Sequence, residues 1–199
     1  MSIKEYEKQT TSVMNPPTHK NDLLPLIDGC RRQDRSAQNE LHKILYRYVY
    51  AICFRYVGDT NETKEVVQDI FLKAFTKLSQ YDGTQSFRTW IRKIAVNTCI
   101  DLFRSKAREL PINDLEDGLY VMETAQPLAE LDTDYLLEYI ARLPSAYRIT
   151  FNLYAVEGYA YAEIADMLNI QKGTVSSNIA KARIHLQKMI TEHNQKTRI

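Results

Sequence analysis

Only three cysteines, six glycines and six prolines occur in 199 residues, and no stretch is long and apolar enough to span a membrane. So few glycines and prolines argue against a turn-dense β fold. Cys30, Cys53 and Cys99 lie far apart in helical-looking segments. No pair of them has metal-ligand spacing, and an odd number argues against a disulfide framework. They read as small core residues of a reduced, cytoplasmic protein. Residues 1–20 contain Pro16-Pro17 and lack the apolar run of a signal peptide, so a disordered polar tail is expected there. His19, His42, His185 and His193 are scattered without metal or nucleophile spacing. No glycine loop suited to cradling phosphate is present. The chain therefore reads as a non-enzyme, with no metal and no cofactor.

What is present is helical periodicity. A hydrophobic content of 44% suffices for packed cores, and the apolar residues recur at three- and four-residue intervals. The predicted fold is all-α: two small helical domains joined by a flexible acidic linker, the second containing a helix-turn-helix. The predicted boundaries are a tail at 1–20, a first domain at 21–108, a linker at 109–132 and a second domain at 133–193. Leu23–Val57 reads as a helical region with Ile44, Leu45, Val49, Ile52 and Cys53 in the core, and Gly58 as its stop. Asp59 and Glu62 form a capping box for the next helix, about Asn61 to Leu78. Val66, Val67, Ile70, Phe71, Ala74, Phe75 and Leu78 form its apolar face. Asp82-Gly83 signals a tight turn.

The near-zero net charge of +1 hides a strong pattern. Phe87–Arg108 carries six cations against Asp101, a net of +5. Glu109–Asp134 carries eight acids and no Lys or Arg, a net of −8. The stretch from Gln171 to the end carries six cations against Glu192, again +5. Two basic units separated by an acidic connector point to a polyanionic partner.

The segment from Ser86 to Arg108 is the most informative. As a helix it turns Ile91, Ile94, Ala95, Thr98 and Leu102 inward. It gathers Lys93, Asn97, Asp101, Arg104 and Arg108 into a polar, mostly cationic stripe, with Phe87 and Trp90 at its entrance. Such a stripe suits a nucleic-acid backbone and an unstacked base; an ordinary solvated helix face is the alternative. In the second unit, Leu136, Leu137, Ile140 and Leu143 make a helix that stops before Pro144. A further helix, about Ser145 to Val156, buries Ile149, Phe151, Leu153 and Tyr154. The stretch Tyr161 to Ala180 then has helix-turn-helix spacing. Ala165 permits close crossing, Asn169 tolerates a left-handed turn, and Ile170 and Val175 plug the angle. The helix from about Gly173 to Met189 is the one that enters the major groove.

These features together resemble the extracytoplasmic-function (ECF) sigma factors of bacterial RNA polymerase, part of the sigma-70 family. The resemblance runs from Leu23 to Thr191. It is carried by Glu65-Val66-Val67-Gln68-Asp69-Ile70-Phe71-Leu72-Lys73-Ala74-Phe75 with Phe87-Arg88-Thr89-Trp90-Ile91. It continues with Leu143-Pro144, Glu157-Gly158-Tyr159-Ala160-Tyr161-Ala162-Glu163-Ile164-Ala165, Gly173-Thr174-Val175 and Ala180-Lys181-Ala182-Arg183. It implies that the chain binds core RNA polymerase, recognises −35 and −10 promoter elements, and promotes melting.

Residue by residue, the resemblance places Glu65, Gln68, Asp69 and Lys73 against the polymerase. It implies −10 contacts from Tyr81, Ser86, Phe87, Arg88, Trp90, Arg92, Lys93, Asn97, Asp101, Arg104 and Arg108, with Asn97 holding a flipped base of the non-template strand. It implies −35 contacts from Lys172, Gly173, Thr174, Ser176, Ser177, Asn178 and Lys181. An anti-sigma factor is the further partner it implies. Phe87 and Trp90 suit the core as well as stacking. Three positions depart from the family pattern: Asn169 in place of glycine, Ala160 in place of a capping Ser or Thr, and Ser176 and Asn178 where basic residues are common. A helix-turn-helix regulator acting without polymerase would explain the second unit and leave the first without a purpose.

Overall fold

The computed structural model describes residues 23–109 and 133–197; the expected tail and most of the expected linker lie outside them. Eight α-helices and no strand are present among the described residues: α1 (Leu24–Arg31), α2 (Arg35–Val57), α3 (Thr60–Thr76), α4 (Phe87–Glu109), α5 (Thr133–Arg142), α6 (Ser145–Phe151), α7 (Tyr161–Leu168) and α8 (Lys172–Thr197). The all-α expectation holds.

Local chemistry sets the helix ends. The first helical region consists of two helices. Gln33 adopts φ +62°, and Asp34 starts α2 by accepting from the Ser36 amide at 2.8 Å and the Ala37 amide at 3.4 Å. Gly58 ends α2 in the left-handed region at φ +77°. Asp59 caps α3, accepting from Asn61 at 2.9 Å and Glu62 at 2.8 Å. The Glu62 carboxylate reaches across to Lys106 on α4. A short 3-10 turn (Leu78–Gln80) follows α3. Ser86 caps α4, its hydroxyl accepting from the Thr89 amide at 3.1 Å.

α2 is the hub. Leu41, Leu45, Val49, Ile52 and Cys53 bury against Val67 and Ile70 of α3 and Ile91 and Ala95 of α4. Each such aliphatic side chain contributes about 1.5–3 kcal/mol by leaving water. The three cysteines are free and buried. The side-chain hydrogen bond between Cys53 and Cys99, and then burial, raise the Cys99 pKa well above an ordinary thiol's, so the sulfurs pack as small apolar groups.

In the second unit, α6 runs into one π-helical turn, Asn152–Val156. α7 and α8 form the helix-turn-helix. Asn169 sits at φ 55°, ψ 48°, the left-handed turn its sequence position predicts, and Val175 is fully buried at the angle. Ala160 has no side-chain oxygen to cap α7, but the Glu163 carboxylate accepts from the Ala160 amide at 2.7 Å, which supplies half of a capping box.

The two units pack directly on one another. One hydrophobic cluster continues from α2, α3 and α4 into Ile149, Leu153, Ile164, Ala165, Leu168, Val175 and Ile179. Tyr139, Ile140, Leu143, Phe151, Ala182, Leu186 and Ile190 form a separate small core. At the junction, Arg148 of α6 donates to the last carbonyls of α2, Tyr56 at 2.9 Å and Val57 at 2.6 Å. It also donates to Ala141 at 2.6 Å and Leu143 at 3.0 Å. One guanidinium thus satisfies orphan carbonyls of α2, of the last turn of α5 and of the turn after it. Asn152 adds a bond from its side-chain amide to the Arg55 carbonyl at 2.7 Å.

Gly58 makes this approach possible. A Cβ there would collide with Arg148 Nη1 and lie 2.6 Å from the Ala141 carbonyl oxygen. Gly58→Ala is therefore expected to cost roughly 1–2 kcal/mol through its left-handed backbone, and more through the collision. A thermal melt checks this: an unchanged Tm would contradict the packing described.

Candidate nucleic-acid interface

On α3, Glu65, Gln68 and Asp69 share one exposed face. Leu72, 67% exposed, continues it at the i+3 and i+4 positions. This large apolar side chain in an acidic patch falls outside the family-based site residues. Its signal is visible in the sequence, since it lies off the periodicity of the α3 core face. Lys73 is turned away from the patch, and its ammonium donates to Thr98 Oγ1 on α4 at 3.2 Å.

On α4, Lys93, Asn97 and Asp101 are exposed in one stripe. Asn97, Ile100, Asp101 and Arg104, with Met167 of α7, line a cleft of about 210 Å³. Arg104 sits 3.7 Å from the Asp101 carboxylate and reaches the Asp166 carbonyl at 3.5 Å, so the second unit forms one wall of the cleft. Arg108 falls in the last turn of α4. Arg88 lies over the Tyr48 ring at 5.2 Å.

The aromatic entrance is folded inward. Tyr81 and Phe87 are 3% and 4% exposed and stand edge-on at 5.2 Å. Trp90 packs on both, at 5.5 Å and 5.3 Å. The Tyr81 hydroxyl donates to the Gln85 carbonyl at 2.8 Å, and Arg31 holds the Tyr81 carbonyl at 2.6 Å. These rings brace the loop ahead of α4. Tyr81 and Phe87 are buried in this packing, and Ser86 serves as a helix cap. Trp90 alone of the three rings keeps a half-exposed edge.

Arg92 is engaged across the junction. Its Nε and Nη2 each donate to the Glu157 carboxylate at 2.8 Å, and Tyr56 donates to Oε1 of the same group at 3.3 Å. The hydrogen bonds that Arg92 donates to Glu157 raise the Arg92 pKa, against the opposing effect of burial. Burial, and then the Arg92 charge, lower that of Arg55. Burial, and then the Glu157 charge, push the Tyr56 hydroxyl far above the ordinary phenol range.

On α8, Lys172, Gly173, Thr174, Ser176 and Ser177 are exposed at the N-terminal end, where amide groups face outward and favour anions. Lys181 lies 5.7 Å from the Tyr147 ring centroid and is half-buried. Asn178 is only 8% exposed; its amide points to Thr150 Oγ1 at 3.4 Å. Asn178 shares the inward face with Val175, Ile179 and Ala182. Arg148, Asn152 and Glu157, which join the units, are missed by sequence reasoning because nothing local marks a contact some 65–100 positions away.

Among the described residues no group of His, Cys, Asp and Glu could hold a metal ion, and no helix is long and apolar enough to cross a membrane. Residues 41–109 match Sigma-70 region 2 and residues 133–186 match Sigma-70 region 4. The chain is 30% identical over 170 residues to the ECF RNA polymerase sigma-E factor of Escherichia coli strain K12, covering 79% of this chain and 88% of that one. It is 26% identical over 178 residues to ECF RNA polymerase sigma factor SigW of Bacillus subtilis, covering 83% and 95%. Among solved structures, it is similar to CnrH in complex with the cytosolic domain of CnrY, at 20% identity and TM-score 0.43 over 84% of this chain and 96% of that one. It is also similar to the sigma factor RpoE in complex with the anti-sigma factor NepR from Bartonella quintana, at 21% identity and TM-score 0.44 over 77% and 96%. With both conserved regions matched in order and a relative at 30% identity along most of its length, this chain belongs to the ECF group of the sigma-70 family of RNA polymerase sigma factors.

Proposed function

We propose that this chain is an alternative sigma factor that docks on core RNA polymerase through the Glu65, Gln68, Asp69 and Leu72 face of α3. It brings the enzyme to promoters by reading a −35 element with the first turns of α8, and it opens them by trapping non-template bases on α4. Catalysis belongs to the polymerase; the chain contributes binding energy alone. The observation that carries this reading is that one chain holds two separate net-cationic helices, each in a region matched by a sigma-70 family component. A regulator acting on duplex DNA alone has no use for the first of them. The reading includes a cytoplasmic location and an inhibitory anti-sigma partner, as the sequence resemblance implies.

Lys93, Arg88 and Arg104 set affinity and salt dependence through phosphates, and carry little sequence information. Asn97 offers a donor and an acceptor at the mouth of the α4 cleft, which suits the edge of one extruded base. Capture must offset an unstacking cost of a few kcal/mol, so contacts made only to the open strand bias the equilibrium toward melting. Asn97→Ala is expected to reduce promoter opening about 10-fold, equivalent to about 1.4 kcal/mol, while closed-complex affinity changes little. Permanganate footprinting beside a filter-binding assay measures both; equal losses would remove the pocket role.

A further inference from the structure

The helix-turn-helix holds α8 through a polar pair set among aliphatic side chains. α6 lies along α8, and the inward side of α8 carries Val175, Ile179, Ala182 and Leu186, all buried. Thr150 of α6 is completely buried, and Asn178 of α8 nearly so. The Thr150 hydroxyl spends its hydrogen on the Ala146 carbonyl at 2.6 Å, so its oxygen can only accept. The Asn178 amide supplies the donor, Nδ2 to Oγ1 at 3.4 Å. Asparagine meets that need, whereas an ionised aspartate or an aliphatic side chain has no donor to give.

Aliphatic side chains tolerate rotation and sliding against one another, because the burial that drives their contact is non-directional. A hydrogen bond exists in one register alone, as a single buried amide fixes register between coiled helices. The place of this bond on α8 gives it consequence. Asn178 directly follows Ser176 and Ser177 and lies four residues after Thr174, and those three side chains are exposed. With side chains reaching about 5–6 Å from the helix axis, a rotation of about 20° carries their tips about 2 Å. A displacement of that size ends a hydrogen bond to a base edge. Long basic side chains could follow the groove through such a rotation; the short hydroxyls of Thr174, Ser176 and Ser177 cannot.

We propose, resting on the sigma-factor reading, that Thr150 and Asn178 are positioning residues for −35 selection: their buried bond sets the rotation of α8, and so which base edges Thr174, Ser176 and Ser177 meet. Asn178 then acts on the −35 element from the inner side of its helix, through its neighbours, and touches no base itself.

The test uses the full chain with core RNA polymerase on templates randomised across the upstream element. Sequencing the transcribed templates gives the enrichment of the preferred −35 sequence over the starting pool. Thr150→Val keeps the shape, removes the acceptor and lies where DNA cannot reach. It is expected to lower enrichment about 10-fold, the scale of one lost base contact. Total transcript should stay within about 3-fold, since phosphate contacts are independent of sequence. Thr150→Ser retains the hydroxyl and should keep wild-type enrichment. Thr150→Val combined with Asn178→Leu removes both polar partners, so its Tm should lie close to wild type, while enrichment stays at the Thr150→Val level. Wild-type enrichment in that double variant would show that the pair acts through stability alone and would overturn the inference. Unchanged enrichment in Thr150→Val would overturn it too. All variants are assayed where circular dichroism shows native helicity; a double variant that never reaches it would make the pair a stabilising element, again overturning the proposal. Upstream enrichment by the wild-type chain tests the sigma-factor reading separately. Its presence, with identical selection by Thr150→Val, would sink this inference alone.

Discussion

Reversing the charge of Glu65 and Asp69 together, to lysine, should lower affinity for core RNA polymerase by about 100-fold and abolish polymerase-dependent transcription. Both carboxylates stand exposed on one face of α3 beside Leu72, and neither touches the core, so folding should survive. Like charges placed opposite one another across an interface cost several kcal/mol, and 100-fold corresponds to about 2.7 kcal/mol. Leu72→Ala should weaken binding by a smaller amount, since it removes apolar contact and introduces no repulsion. Surface plasmon resonance on immobilised core enzyme separates the two effects. Undiminished affinity of the double reversal would place the docking surface elsewhere.

The second large effect is expected at Arg148. Replacing it with Met keeps much of the volume but leaves the Tyr56, Val57, Ala141 and Leu143 carbonyls without their donor. Each unpaired buried acceptor costs about 1–3 kcal/mol. The total is capped, because separation of the units lets water reach those carbonyls. The outcome is a chain about 3 kcal/mol less stable when closed, with Tm lower by roughly 6–12 °C, or one whose units part and whose radius of gyration rises. Calorimetry with small-angle scattering detects either. A variant with wild-type Tm and radius would show that Arg148 does not hold the junction.

The sequence carried those features whose causes are local. Gly58, Asp59 and Asn169 each answer to the backbone of a few neighbours, and all three stand where their chemistry puts them. The α4 stripe was legible for the same reason, since helical spacing alone brings Lys93, Asn97 and Asp101 together. Asn178 illustrates a different case. Family resemblance placed it on DNA, whereas its spacing of three, one and four residues from Val175, Ile179 and Ala182 already marks the buried side of α8. Phe87 repeats this, four residues before the fully buried Ile91. Periodicity accounts for the burial of both side chains. The break after α1 was hidden because helix formers continue across it, and the turn depends on one left-handed residue, Gln33. The junction of the units had no local trace at all. Arg148, Asn152 and Glu157 read as ordinary surface residues of helix and turn until α2 and α4 are brought against them.

Run-off transcription from a genomic promoter library, with and without this chain added to core RNA polymerase, tests the central claim most directly. The account predicts discrete transcripts that start downstream of a shared pair of sequence elements and appear only when chain and polymerase are both present. Tight, sequence-specific duplex binding by the chain alone, with no transcript directed by the pair, would contradict it.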